Sequence, residues 1–363
     1  MLFVAICATS LVWADESGNC GDNVNYTFEE STGTLTISGA GDMTSNPWES
    51  YYSSIKTVVI ESGVTSIGAY AFNGCNALTN VTIPNSVTRI EELAFGYTGL
   101  TNIEIPNSVT YIERRAFEEC DGLISVNIPN SVTVVGDFAF AYCDKLTYVN
   151  IPNSVESIGM GAFTYCKKLT SIEIPESVMS IEWFAFDGCS GLENISASGG
   201  RYYSLDNCLI DNYSHMVVLG CKNSVIPEDG VDGIDRLAFS GCTGLTEITI
   251  PENVSWIRFD SFCDCTGLTA VTVKATTPPV YETYNYAFSN YDIPLYVPAE
   301  SIEAYRTADV WANFTNILPI PIPTTGFNEA TCEKNEVRKM LIDGTVYVEK
   351  DGVRYNLNAQ KIR

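Results

Sequence analysis

Apolar and polar residues recur along this chain with a period in the low twenties. From Leu78 to Gly191 one pattern is written five times: "LTNVTIPNSVTRIEELAFGYTG", "LTNIEIPNSVTYIERRAFEECDG", "LISVNIPNSVTVVGDFAFAYCDK", "LTYVNIPNSVESIGMGAFTYCKK", "LTSIEIPESVMSIEWFAFDGCSG". A unit this small cannot bury its own apolar face, so the period predicts a solenoid of stacked coils. Within one copy, Leu123, Val126 and Ile128 alternate with Ser125 and Asn127, which predicts a half-buried strand. Pro129 ends it, because proline donates no ladder bond, and Asn130-Ser131 supplies turn chemistry. Val132 and Val135 predict a second short strand on the opposite wall. Asp137–Tyr142 reads as a helical turn that puts Ala139 at a close approach, Phe140 in the interior and Cys143 at the coil's end. Stacked about 4.8 Å apart, the copies would align Phe72, Phe95, Phe117, Phe140, Phe163, Phe186, Phe239, Phe262 and Phe288 in one column. A cysteine column would run beside it.

The pattern divides the chain. Residues 1–14, "MLFVAICATSLVWA", read as a signal peptide: apolar, too short to span a bilayer, and with small residues around Trp13. Residues 15–54 carry a hairpin signal at Asn23–Gly39 and predict an N-terminal β cap with Trp48 and Pro47 as plugs. About nine coils follow over 55–317. The seventh is interrupted, since Ala-Phe does not return after Ala185-Phe186 until Ala238-Phe239. Residues 198–224 are therefore expected to project from the stack as a hairpin turning at Asp211–Ser214. Helical spacing at Ile302, Tyr305, Val310 and Trp311, with Ser301 as N-cap, predicts a closing helical cap over 299–315. Residues 318–326 read as a Pro-rich linker, and 327–363 as a small β tail of two or three strands.

Composition narrows the function. A formal charge of −24 repels nucleic acid and anionic lipid. After signal cleavage nothing remains that would insert in a membrane. The single histidine, His215, excludes a Ser–His–Asp set or a multi-histidine metal site, and it reads as a solvated residue at the hairpin tip.

The repeat pattern resembles the BspA-type (Treponema-type) leucine-rich repeat of bacterial surface proteins, over about residues 20–317. "CGDNVNYTFEESTGTLTISGAGDM" is similar to that family's cap segment, "NCLIDN" with "VLGCKNSVIP" to its interrupted repeat, and "PLYVPAESIEAY" to its closing segment. "LIDGTVYVEKDGVRYNLNAQ" resembles tails of exported Bacteroidales proteins. The resemblance implies a right-handed β-rich leucine-rich-repeat solenoid. It further implies export, display at the bacterial outer surface, and adhesion to host or microbial ligands, without catalysis or a cofactor. A monomer is expected.

Thirteen cysteines in an exported chain raise the question of disulfides. Cysteines on one repeat position sit farther apart than a bridge prefers, so the column reads as free thiols. Cys208 and Cys221 are the disulfide candidate, left open because the expected hairpin sets Cys208 opposite about Val217. Cys263-Cys265 lacks zinc spacing, and no calcium-loop motif occurs. Glu91-Glu92 and Glu118-Glu119 are expected on exposed convex turns, where a glycosidase pair would lack a cleft. What varies between copies is more informative: small polar residues on the first strand, and aromatic ones such as Phe138, Phe184 and Phe259 on the turn. Exposed aromatics there would mark an interaction surface. The candidate ligand-binding residues are Tyr142, Tyr148, Tyr165 and Trp183. The expected function is a cell-surface binding protein for protein or glycan ligands. The alternatives are a structural envelope protein and, more remotely, a glycan-degrading enzyme.

Overall fold

A computed structural model describes residues 16–281 and 287–321, and the backbone of strands between 337 and 362. The expected signal segment and residues 322–326 of the expected linker lie outside the described residues. Two compact units are present, residues 1–320 and 321–363.

In the first unit the coils stack in about 12 turns rather than nine. Each contributes a strand to a first wall, for example Ser125–Asn127 beside Tyr148–Asn150, in parallel register with Val126 facing Val149. A second wall is a seven-stranded sheet of very short strands, including Val134–Val135, Ser157–Ile158 and Ser180–Ile181. Side chains alternate as the pattern predicts: Val126, Val149 and Ile172 are buried, and Ser125, Asn127 and Tyr148 are exposed.

The third side differs from the expected helical turn. Two residues before and two after each column phenylalanine from Phe72 to Phe262, the backbone enters the left-handed region, as at Phe138 (φ 55°) and Tyr142 (φ 58°). The phenylalanine and these two flanking residues then point their N–H groups along the stack. Phe138, Phe140 and Tyr142 donate to Met160 O, Ala162 O and Thr164 O, each at 2.8 Å. The result is a hydrogen-bonded third wall, called here the turn wall. A left-handed residue other than glycine costs about 1–2 kcal/mol, and the rungs between coils offset it. Inside, the phenylalanine rings stack face to face, Phe117 on Phe140 at 5.2 Å and Phe140 on Phe163 at 5.6 Å.

Both ends are closed by indoles. Strands Glu16–Gly21, Val24–Glu29 and Thr34–Gly39 run antiparallel, and the last pairs in parallel with Thr57–Ile60. Trp48 is fully buried, stacks on Phe72 at 5.7 Å and donates its indole N–H to Ala71 O at 2.8 Å. Pro47 is exposed and is not a plug. At the other end a one-turn helix, Ile302–Thr307, lies between 3-10 turns. Ser301 precedes it without making a side-chain cap bond, because the 3-10 turn at Ala299–Ser301 already occupies that place. Trp311 donates to Pro279 O and the Tyr305 hydroxyl to Ala275 O. A further strand, Asn316–Pro319, then pairs with Pro294–Val297, so Leu318 and Pro319 belong to the sheet rather than to a linker. In the second unit, Val337–Ile342, Thr345–Lys350, Val353–Tyr355 and Lys361–Ile362 form an antiparallel sheet of four strands.

The interruption is not a projecting hairpin. Asn194–Gly199, Tyr202–Leu205, Cys208–Asp211 and Met216–Leu219 form an antiparallel meander within the sheet. Its last strand pairs in parallel with Gly233–Ile234 of the second wall. The sheet thus crosses from the first wall to the second. Cys208–Asp211 is buried throughout. Its Leu209 packs into the N-terminal core cluster, and Cys208 and Ile210 into the C-terminal one. The extra turn is made at Asp206 and Asn207, both left-handed, a two-residue hairpin turn that Asp and Asn tolerate.

The meander also hides a degenerate coil. Val217 pairs with Ile234 as Ile158 pairs with Ile181, and Gly220 N–H donates to Ala238 O as Phe163 N–H donates to Ala185 O. Gly220 therefore holds the phenylalanine position, and a Cβ there would lie 2.1 Å from the Phe239 ring. Gly220→Ala is expected to destabilise the protein by about 1–3 kcal/mol through overpacking. An unchanged urea midpoint would show that the ring yields freely.

Candidate functional site

The degenerate coil shortens the turn wall. From the last paired second-wall residue to the phenylalanine position is five residues at Ile158–Phe163 but three at Val217–Gly220. The coil of Phe186 and the coil of Phe239 therefore meet directly at one edge, where a Cβ on Gly241 would lie 2.5 Å from Gly188 Cα. Elsewhere they stand apart and leave a cleft of about 300 Å³. Trp183, Phe184, Tyr202, Leu219 and Arg236 are among its lining residues.

Two arginines define the cleft. Arg201 is joined to the buried Asp211 at 3.0 Å, donates to Met179 O at 2.8 Å, and lies over the rings of Tyr202 and Tyr213. Asp211 also accepts the Tyr213 N–H, which locks the adjacent turn. Arg236 sits between the Trp183 ring (4.9 Å) and the Phe259 ring (5.0 Å), spanning neighbouring coils. Toward the pinched edge Asp187 is half-buried. Burial pushes its carboxyl up, the Ser240 hydroxyl holds it down, and Asp264 pushes it up again. Among the described residues no group of histidine, cysteine or acidic side chains could hold a metal ion.

The four aromatic candidates are not one site. Trp183 stands at the cleft with 57% of its surface exposed. Tyr142 and Tyr165 belong to the opposite margin of the turn wall, both two residues after a column phenylalanine, and stack at 5.2 Å with 4° between their planes. Gly188 continues that ladder, placing open backbone against the Tyr165 ring. Tyr165 is half-buried, and its hydroxyl is pushed up first by burial and then by Asp187 and Asp264. Tyr148 lies on the first wall beside a shallow recess with Asn150, Ser171 and Glu173. Sequence reasoning missed the cleft because a glycine filled the phenylalanine position. The spacing of Gly220 from Ala238-Phe239 was the available signal.

The cysteines are free among the described residues. Cys208 and Cys221 do not join: Cys221 belongs to the N-terminal core cluster and Cys208 to the C-terminal one. Their thiols donate instead to Val225 O and Glu193 O. The register differs from expectation too, since Ile210 rather than Cys208 faces Val217. In the column, Cys143, Cys166 and Cys189 donate to the phenylalanine carbonyl of the preceding coil, Phe117, Phe140 and Phe163, at 3.2–3.3 Å. A small side chain with a weak donor is what that carbonyl needs. Burial pushes the Cys75, Cys120 and Cys189 thiols up to about 12, leaving them protonated and unreactive at neutral pH. Cys263 alone among the described cysteines is partly exposed. Brief alkylation of the native protein with peptide mapping is expected to modify Cys263 and leave the column intact. Rapid labelling of Cys143 or Cys166 would contradict the packing.

The acidic pairs also differ from expectation. Glu118 is buried beside Arg115, and burial pushes its carboxyl up, because its position next to the column phenylalanine faces inward.

A stack of coils with a phenylalanine column, two short-stranded walls and capped ends defines a leucine-rich-repeat solenoid. The chain belongs to the BspA type leucine rich repeat region family, whose description matches residues 49–167, 133–225 and 208–324. Among solved structures, the fold is similar to a leucine rich cell surface protein from Faecalibacterium prausnitzii A2-165. That likeness has 24% identity, covers 85% of this chain and 96% of that one, and has a TM-score of 0.58. It is also similar to a leucine-rich repeat protein from Eubacterium ventriosum ATCC 27560, at 22% identity, 85% of each chain and TM-score 0.51. The pneumococcal vaccine antigen PcpA is 15% identical over 85% of this chain and 99% of that one, with a TM-score of 0.51. A search of curated proteins found no match. Among the described residues no helix is long and apolar enough to cross a membrane.

Proposed function

We propose that this protein is an exported, adhesin-like binding protein that recognises host or microbial proteins or glycans through its turn wall. The observation that carries the reading is Trp183, more than half exposed at the rim of a cleft created by a shortened coil. A large aromatic held open by a cation on its face is the kind of anchor that interfaces use. The Tyr142–Tyr165 ladder extends the aromatic surface along the same wall. The wall is rigid, so little conformational entropy is lost on binding. Membership of a repeat family, and likeness to a protein described as a cell surface protein, support display outside the cell. The protein acts as a monomer, without catalysis, cofactor, nucleic acid or membrane insertion.

The test is binding of the purified protein to glycan and extracellular-matrix protein arrays, with Trp183→Ala, the double variant Tyr142→Ala/Tyr165→Ala, and Tyr148→Ala. Removing Trp183 is expected to weaken a reproducible hit by about 2 kcal/mol or more, as for an interface hot spot. Tyr148→Ala is expected to have little effect, because it faces the first wall. A blank array with a folded protein would favour a structural role in the envelope, and hydrolysis of an arrayed polysaccharide would overturn the non-enzymatic reading.

A further inference from the structure

The turn wall is built from rungs, and at the cleft the rungs stop. In the coil before it, Gly161, Phe163 and Tyr165 donate their N–H groups to Trp183 O, Ala185 O and Asp187 O at 2.7–2.9 Å. The equivalent donors of the next coil are Phe184, Phe186 and Gly188. Gly188 N–H donates to no carbonyl among the described residues, and it helps hold the Asp187 carboxyl down. Phe184 and Phe186 meet no acceptor among the described residues. The reason is the short coil. Counted back from Gly220, the residue that should give Phe184 its carbonyl is Val217, whose carbonyl already accepts from Asp235 N–H, and no bond joins Phe186 N–H to Leu219 O among the described residues. Backbone donors that point along the stack without a protein partner are rare within such a wall, since each forgoes a hydrogen bond that the fold could supply.

We propose that the cleft beside Trp183 binds an extended polypeptide segment of a partner protein, whose carbonyls accept from Phe184 and Phe186 in place of the missing turn. The proposal rests on the reading of the turn wall as the binding surface and names the class of ligand it takes. Three observations select a polypeptide. Where all three rungs of this wall form, as from the coils of Phe72, Phe95, Phe117, Phe140, Phe163 and Phe239, donors two residues apart are met by polypeptide carbonyls two residues apart, so the cleft presents a template spaced for a chain. The lining carboxylates Glu182, Asp187, Asp211 and Asp235 outnumber the guanidiniums of Arg201 and Arg236, which disfavours phosphate, sulfate or carboxylate ligands. Trp183 and Phe184, both exposed, offer apolar contact to alternate side chains of such a strand. Main-chain bonds would then set affinity and the aromatic rim selectivity, as when a peptide is added to a sheet edge.

The test uses the full chain and a synthetic peptide of residues 136–146 carrying Cys143→Ser, which is one rung of the wall in its own sequence. Amide hydrogen exchange is read at single residues. In the free protein, Phe184 and Phe186 are expected to exchange about tenfold or more faster than Gly161 and Phe163, whose rungs are formed. Millimolar peptide is expected to slow both by about tenfold, and maltoheptaose at the same concentration to leave them unchanged. Equal protection of Phe184 and Phe163 in the free protein would overturn the proposal, since the rungs would then be satisfied internally. So would peptide without effect, or maltoheptaose giving the protection instead. Any of these leaves array binding that depends on Trp183 standing, so failure here is distinguishable from failure of the surface-binding reading.

Discussion

Phe140→Ala is expected to lower the stability of the solenoid by about 3–5 kcal/mol, the cost of emptying a core site that cannot collapse. The ring is fully buried between Phe117 and Phe163, with both neighbours within 4° of parallel. Neither neighbour can tilt into the space without leaving its own partner. The backbone beneath is fixed as well, since Phe140 N–H donates to Ala162 O and Phe140 O accepts from the Cys166 thiol. Urea unfolding followed by far-UV circular dichroism gives the number. A loss below about 1 kcal/mol would mean that the column is looser than its geometry. Coils contact only their neighbours, so the hole should also be local. Amide exchange should accelerate most at Phe117 and Phe163 and least beyond the meander, where a separate core begins at Ile210 and Val217.

Trp48→Ala is expected to be of similar size, about 3–5 kcal/mol, for a different reason. Trp48 ends the column: its ring covers Phe72, and its N–H satisfies Ala71 O, the carbonyl that a preceding coil would otherwise meet. Its removal exposes an apolar surface and an open rung at once, and exposed solenoid ends associate. Lower thermal stability together with concentration-dependent light scattering is expected. Trp48→Phe separates the two contributions. It keeps an aromatic cover and loses one hydrogen bond, so a cost near 1 kcal/mol is expected. If Trp48→Phe were as harmful as Trp48→Ala, the bond rather than the cover would hold the cap.

Much of this fold was legible in the residues. The alternation of Val126 and Ile128 with Ser125 and Asn127 requires a strand with one wet face, and the recurring Ala-Phe pair requires an interior column. Both are local patterns repeated, so copies that disagreed would have shown it. The turn wall was less legible. Residues 137–142 look helical by composition, yet Phe138 and Tyr142 are left-handed. No propensity favours that at aromatic residues, and only the carbonyls of the next coil make it worthwhile. The cysteine column read as small apolar filler for the same reason: the acceptor of each thiol lies in another coil.

The interruption shows the limit most clearly. Asp206-Asn207 carried a turn signal, but whether the strands beside it projected or packed depended on what stood above and below them. Alternate faces of Cys208–Asp211 are apolar on both sides because two cores meet there. Gly220 looked like a lapse in the repeat and is instead the residue that admits the Phe239 ring. The sequence by itself determined the solenoid, the period, the column and the closure of both ends by aromatic residues, because one-dimensional repetition maps directly onto stacking. Only the tertiary structure decided where the wall breaks, that Trp183 stands at a cleft while Tyr142 and Tyr165 form a separate ladder, and that the Phe184 and Phe186 N–H groups go unmatched among the described residues. Those features depend on hydrogen bonds between coils, and a shortening of two residues in one coil moves them without disturbing the pattern that identifies the rest.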